Sequence, residues 1–240
     1  MNIEGCAALV TGGAVRVGRA LALGLAKAGA DVVIDYHSSD EEARDTVREI
    51  EALGRRAVAV QADVSSSADV NRLVDTAMAA FGRIDILVNS ASLFHRTPFL
   101  EISEADWDRV LDVNLKGPFL LSQAAARVMT AGTIVNIVDL SALQPWPTYA
   151  HHAVSKAGLL HLTKIMARAL GPAIRVNAIA PGTVLPPEGD DGTDAMGGMD
   201  RRVLERAGSP QDVVDALLYL VRSDFVTGEV VVVDGGRTLL

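Results

Sequence analysis

Between Tyr149 and Lys156 the chain reads YAHHAVSK, gathering a phenol, two imidazoles and an ammonium into about two helical turns. These are groups that exchange protons near neutrality, or that tune a neighbour which does. Their spacing sorts them. Residues four apart share a helix face, so His152 lies in line with Lys156. Tyr149 falls a turn earlier, at the helix start. His151 projects about 100° around the axis, where a surface or interface residue is expected. His and Tyr are also ordinary packing residues, so the other elements must supply the partners that turn such a cluster into chemistry.

Those elements alternate. Short runs rich in Val and Ile recur as CAALVT, DVVIDY, RAVAV, IDILVN, TIVNIV, AIRVNAIA and EVVVV, each apolar on both faces as in a sheet covered on both sides. Between them, residues 17–28, 41–53, 68–81, 107–129 and 153–170 carry apolar residues at helical spacing. The repeating unit is a strand followed by a crossover helix, which predicts a parallel sheet between two helical layers. One stretch breaks the rhythm: LPPEGDDGTDAMGGMD, 185–200, where Gly, Pro and Asp suppress regular structure. It is expected to be a substrate loop that closes as a lid.

Composition narrows the partners. A chain of 240 residues with 49% hydrophobic and 22% charged residues suits one α/β domain. A net charge of -8 with no Lys/Arg run argues against nucleic acid. No apolar run approaches the roughly 18 residues that span a bilayer. The one cysteine, Cys6, excludes an internal disulfide and fits a reducing compartment. The expectation is a cytoplasmic protein with a small-molecule partner.

The first strand opens into TGGAVRVG, Thr11 to Gly18, and then a helix. Strand, glycine turn and helix together aim backbone N–H groups and a helix N-terminus at a pyrophosphate. From here the chain resembles a short-chain dehydrogenase/reductase over essentially its whole length. Thr11, Gly12 and Gly18 match the family's TGxxxGxG, Asp63-Val64 its adenine-side pair, and Asn89-Ser90-Ala91-Ser92 a variant of its NNAG. Asn114 matches its active-site Asn, Lys156 its catalytic Lys, Pro181-Gly182 its nicotinamide-side turn and VDGG its C-terminal signature. The resemblance implies a single Rossmann-type domain over 1–240, a three-layer α/β/α sandwich with a seven-stranded parallel sheet. It also implies a dinucleotide held by these residues with Val17 and Val184, and a homotetramer built on the helices of 107–129 and 153–170.

Arg16 departs from the pattern, standing where most of the family has the motif's middle glycine. TGxxxRxG resembles the pteridine reductase branch. So do Asp139 at the position of the usual catalytic Ser, and Ser92 and Phe94 in NSASLF. For that branch the resemblance implies that Arg16, Ser92, Phe94 and Asp139 hold a flat pterin-like ring. A planar heteroaromatic can stack on Phe94 while Arg16 and Ser92 donate to its polar edge. After the second strand, Tyr36 takes the place of the acid found in NAD-preferring relatives, followed by His37 and Ser38. With Arg16 nearby, this favours NADPH over NADH; Asp35 falls one residue early.

The family's catalytic Tyr lies four residues before its Lys, and here that position is His152. Asp139 precedes His152 by the interval at which the family's Ser or Asp precedes that Tyr, so the register holds and the phenol is absent. Three readings of His152 stay open: a replacement acid; a change that leaves a dinucleotide-binding protein with impaired catalysis, since an imidazole ends roughly 2 Å short of a phenol oxygen and about 1 Å of misplacement can cost ~100-fold; or a space-filler beside an Asp139–water relay. The expected activity is NADPH-dependent reduction of a C=N or C=O, with a general carbonyl reductase of the 3-oxoacyl type as the alternative substrate class.

Overall fold

The structure, a computed structural model, describes residues 1–185 and 202–240. The anticipated substrate loop, 185–200, lies outside the described residues but for Leu185.

Seven strands form one all-parallel sheet: β1 Ala7–Val10, β2 Asp31–Tyr36, β3 Ala57–Gln61, β4 Ile86–Asn89, β5 Gly132–Ile137, β6 Ile174–Pro181 and β7 Val230–Val233. Their order is β3-β2-β1-β4-β5-β6-β7. The chain winds outward from β1 to β3, then crosses back to lay β4 on the other side of β1. At that reversal the crossovers diverge and leave a crevice at the carboxyl ends of β1 and β4.

Successive strand residues point to opposite faces, so each strand feeds two cores. Ala8, Val10, Val32, Ile34, Ile86 and Val88 join Leu21, Leu25, Ile50, Val213 and Leu217 in one cluster. Leu9, Val33, Leu87, Ile134 and Val176 join Leu73, Leu121, Ala125 and Met166 in the other. The first is covered by α1 (Arg16–Lys27), α2 (Asp40–Ala52) and α7 (Pro210–Arg222), the second by α3 (Ser67–Phe81), α5 (Gly117–Val128) and α6 (Ala150–Leu170). This is the predicted three-layer sandwich. Helix α7 was not among the periodic segments, yet its start is marked by a capping box between Ser209 and Asp212. It approaches α1 so closely that a Cβ on Gly24 would lie 2.4 Å from Val214 Cγ1.

The segment 107–129, expected as one helix, is divided. It comprises most of α4 (Glu104–Leu111), a π-helical turn over Asp112–Lys116, and α5. The wider turn carries Asn114, fully buried, into the space beside α6. Among the described residues no helix is long and apolar enough to cross a membrane.

Candidate active site

The crevice is floored by the glycine turn. Thr11 Oγ1 accepts hydrogen bonds from Ser90 N (2.9 Å) and Ala91 N (3.0 Å), fastening the turn to the segment after β4. Gly12 adopts φ 61°, and a Cβ there would lie 3.0 Å from Ala91 Cα. A Cβ on Gly18 would lie 2.1 Å from Gly12 O, so the first turn of α1 rests directly on the glycine backbone. That helix start has no side-chain cap and no acidic residue in its first turn, which leaves its N–H dipole available to an anion. Arg16, exposed at the same point, has φ 52°, in the left-handed region that favours glycine.

Above this floor opens a cavity of about 600 Å³ whose walls include Gly12, Tyr36, His37, Ser38, Asp63, Val64, Ala91 and Ser92. Eight sequence-predicted residues therefore share one space. The chemistry of this floor suits a dinucleotide: side chains at positions 12 and 18 would collide with the backbone of Ala91 and Gly12, so both stay bare and the helix N–H groups can meet a pyrophosphate closely. Tyr36 donates its hydroxyl to Asp40 (2.7 Å). Asp63 accepts from Ser65 Oγ (2.6 Å) and Ser65 N (2.9 Å), and the Ser65 hydroxyl, against some burial, holds its carboxyl below the usual range. Asn89 is placed differently: its side chain is turned into the interior, donating to Asn136 Oδ1 (2.8 Å) and Ser122 Oγ (3.1 Å). It braces β4 against β5, and only its backbone borders the cleft segment.

Among the wall residues not anticipated as ligand-facing are two charged ones, Arg109 and Asp112. Asp35 also lines the cavity and accepts Gly12 N–H at 2.7 Å. It is 2% exposed. Burial, only partly offset by Gly12 N–H and reinforced by the Asp63 charge, raises its pKa to about 7.

The proton-bearing groups do not line this cavity; they meet behind Leu93, which does. His152 Nε2 is 2.5 Å from Asp139 Oδ2, and Asp139 Oδ1 accepts from Ser141 Oγ at 2.5 Å and Ser141 N at 2.8 Å. Burial opposes ionisation of Asp139, but the hydrogen bond and charge of His152, the Lys156 ammonium and the Ser141 hydroxyl together bring its pKa to about 2. An ionised carboxylate only accepts, so His152 Nε2 carries a proton. His152 Nδ1 lies 2.9 Å from Leu93 O and 3.2 Å from Asn114 Nδ2. The two hydrogens of Asn114 Nδ2 already have acceptors in Leu93 O (3.0 Å) and Ser155 Oγ (3.1 Å). An Nδ1–H would donate to Leu93 O but oppose Asn114 Nδ2, whereas a bare Nδ1 would accept from Asn114 Nδ2 but oppose the Leu93 carbonyl. The hydrogen-bond network thus assigns a proton to Nε2, facing Asp139, while the role of Nδ1 follows the tautomer.

Lys156 is 3% exposed and donates to Ile137 O (2.9 Å); burial lowers its pKa while Asp139 counteracts. Asn114 Oδ1 accepts from Leu93 N (2.7 Å) and Ser92 Oγ (3.2 Å), tying the segment after β4 to the π turn. Phe94 stacks on Tyr149 at 4.5 Å and 15°, with its edge contact to His152 at 4.8 Å and 85°. Tyr149 is thus a wall of the aromatic cluster, one turn from the proton site. His151 corrects the expectation of a surface residue. It is 0% exposed and packed where α6 meets α4; burial and then the charges of His152 and His95 lower its pKa against Asp106. Helical phase gave its direction, but not that α4 covers it. Past β6, Gly182 N–H donates to Val233 O (2.9 Å), a Cβ on Gly182 would lie 3.0 Å from Asp234 Cα, and Val184 is buried.

A crevice at the switch point of a doubly wound sheet, floored by a glycine turn, defines the class of dinucleotide-binding α/β folds. The profile of the family described as enoyl-(acyl carrier protein) reductase matches residues 13–238. The 3beta-hydroxysteroid dehydrogenase 1 of Eggerthella lenta is 40% identical, covering 99% of this chain and 95% of its own. The 3-oxoacyl-[acyl-carrier-protein] reductase of a Synechocystis species is 35% identical over 97% of this chain and 96% of its own. A short chain dehydrogenase from Burkholderia cenocepacia, solved in complex with NADP, superposes with a TM-score of 0.94 at 37% identity, covering 99% of this chain and 100% of that one. The chain belongs to the short-chain dehydrogenase/reductase family.

Proposed function

We propose that this protein is an NADPH-dependent reductase of a flat C=N or C=O substrate, with a dihydropterin-type ring as the best candidate. The observation that carries the reading is the Asp139–His152 pair, 2.5 Å apart, beside the ring of Phe94. It joins a protonated donor to an aromatic surface at the end of a dinucleotide-sized cleft. Support for the coenzyme comes from that cleft and from the NADP bound by the Burkholderia relative.

Gly12, Val17, Gly18 and Arg16 would hold the phosphates, Tyr36, His37 and Ser38 the adenosine 2′-phosphate, and Asp63 and Val64 the adenine. Ser90, Ala91, Lys156, Pro181, Gly182 and Val184 would hold the nicotinamide half. When bound, the reduced coenzyme supplies a hydride. The chain's own part is the proton. His152 Nε2 would release it to the substrate nitrogen or oxygen as the adjacent carbon is reduced, the substrate taking the place of Asp139 at Nε2 while Leu93 O keeps the ring oriented through Nδ1, and the neutral imidazole would regain a proton from solvent. Arg16, Ser92 and Phe94 would position the ring. The 35% identity to a 3-oxoacyl reductase favours a second substrate class, simple ketones, for the same machinery. As the resemblance implies, copies would assemble as a homotetramer through α5 and α6.

NADPH oxidation measured against dihydropterins and against 3-oxoacyl and other simple carbonyl compounds tests the reading. Turnover with a dihydropterin at several times the best carbonyl rate is expected. Preference for ketones would move the substrate class, and NADPH binding without turnover of any compound would make the protein a binding module.

A further inference from the structure

Asp35 has no part in the proton chemistry above, yet it is a buried carboxylate in the wall of the cleft. Its Oδ1 accepts Gly12 N–H at 2.7 Å, and its own carbonyl accepts Gly13 N at 3.0 Å. Both strands of the floor, the end of β2 and the glycine turn, therefore meet at this one residue. The groups that share the cavity wall with it are Tyr36 and His37 from its own strand end, Asp63 after β3, and Arg109 and Asp112. Asp63 is held ionised by Ser65. A second negative charge at Asp35 would thus share a space with a first one that does not titrate away near neutrality.

We propose that Asp35 is a positioning residue whose protonation sets the coenzyme preference of the cleft. Protonated, it anchors the glycine turn and leaves the cleft with one carboxylate; ionised, it opposes the 2′-phosphate of NADPH while offering an acceptor to the ribose hydroxyls of NADH. The inference rests on the coenzyme reading above and deepens it. Its direction follows from the environment already described. Burial raises the Asp35 pKa from an ordinary 3.8 to about 7, so the change of charge falls within the physiological range. Because the folded-state value is raised, the stability that protonated Asp35 contributes is complete below about pH 4 and is lost as pH climbs to about 7.

The test is the affinity of NADPH and of NADH, each titrated by nicotinamide fluorescence from pH 5.5 to 8.5 at fixed ionic strength, in the wild type and in Asp35→Asn. An amide accepts Gly12 N–H equally well but carries no charge. Across this range the wild-type preference for NADPH over NADH should fall on the order of tenfold relative to that of Asp35→Asn. The 2′-phosphate also titrates here, but it is common to both proteins, as are the other groups in the wall, so only the difference between the curves reports Asp35. Thermal unfolding of the ligand-free proteins gives a second readout: the wild type should lose stability relative to Asp35→Asn between pH 5 and 8. Parallel preference curves overturn the inference, as does an Asp35→Asn protein that fails to fold. Absence of binding by either coenzyme overturns the reduction reading itself, and the inference with it.

Discussion

At His152 the imidazole is held from both sides, and the cost is reach. Both ring nitrogens are already bonded, Nε2 to Asp139 and Nδ1 to Leu93 O, so a substrate receives the proton only by displacing the carboxylate from Nε2. A phenol in the same place would extend its oxygen roughly 2 Å farther, past Asp139 into the rim, and geometry at this level is worth up to ~100-fold in rate. His152→Tyr is therefore expected to raise steady-state turnover of dihydropterin with NADPH by ~10–100-fold. A slower His152→Tyr protein would show that the imidazole is an adapted acid. The line from Asn114 through His152 to Lys156 was legible in the sequence because helix period and motif order fix it. The role of Asp35 was not. A strand buried on both faces gives no polar alternation from which to read which way its last residues turn.

Among the elements, the turn from β1 into α1 combines a left-handed backbone with a side chain. An L-residue at φ 52° costs roughly 1–2 kcal/mol relative to glycine, and Arg16 is the non-glycine residue at positive φ among those described. Arg16→Gly should relieve that strain and raise the unfolding free energy by ~1 kcal/mol in urea titration, while weakening NADPH binding by calorimetry. Stability and affinity moving in opposite directions is the expected signature; unchanged affinity would make the arginine a surface charge. The glycine turn was readable because its residue types answer to backbone geometry. The π turn was not, since its widened loop carries no marker of its own. Pro118, at the start of α5, was the available sign that a new helix begins there.

For the whole molecule, the two-sided core accounts for the helices facing the sheet and leaves α5 and α6 with apolar side chains directed outward. Phe119 is 43%, Val154 48% and Ile165 52% exposed, more than an isolated surface helix needs to show. Burying them between copies is the expected arrangement, and Ile165→Asp should shift the species seen by sedimentation velocity from tetramer toward dimer or monomer; an unchanged profile would place the contact elsewhere. The charges at the rim carry a further consequence. Lys156 is 3% exposed and His152 1%, and the carboxylate that faces both is Asp139, 2.5 Å from His152 Nε2 and the charge set against the burial of Lys156. Taking that carboxylate away would leave a buried ammonium without its counter-charge, so of the three groups Asp139 is the one whose loss the other two tolerate least.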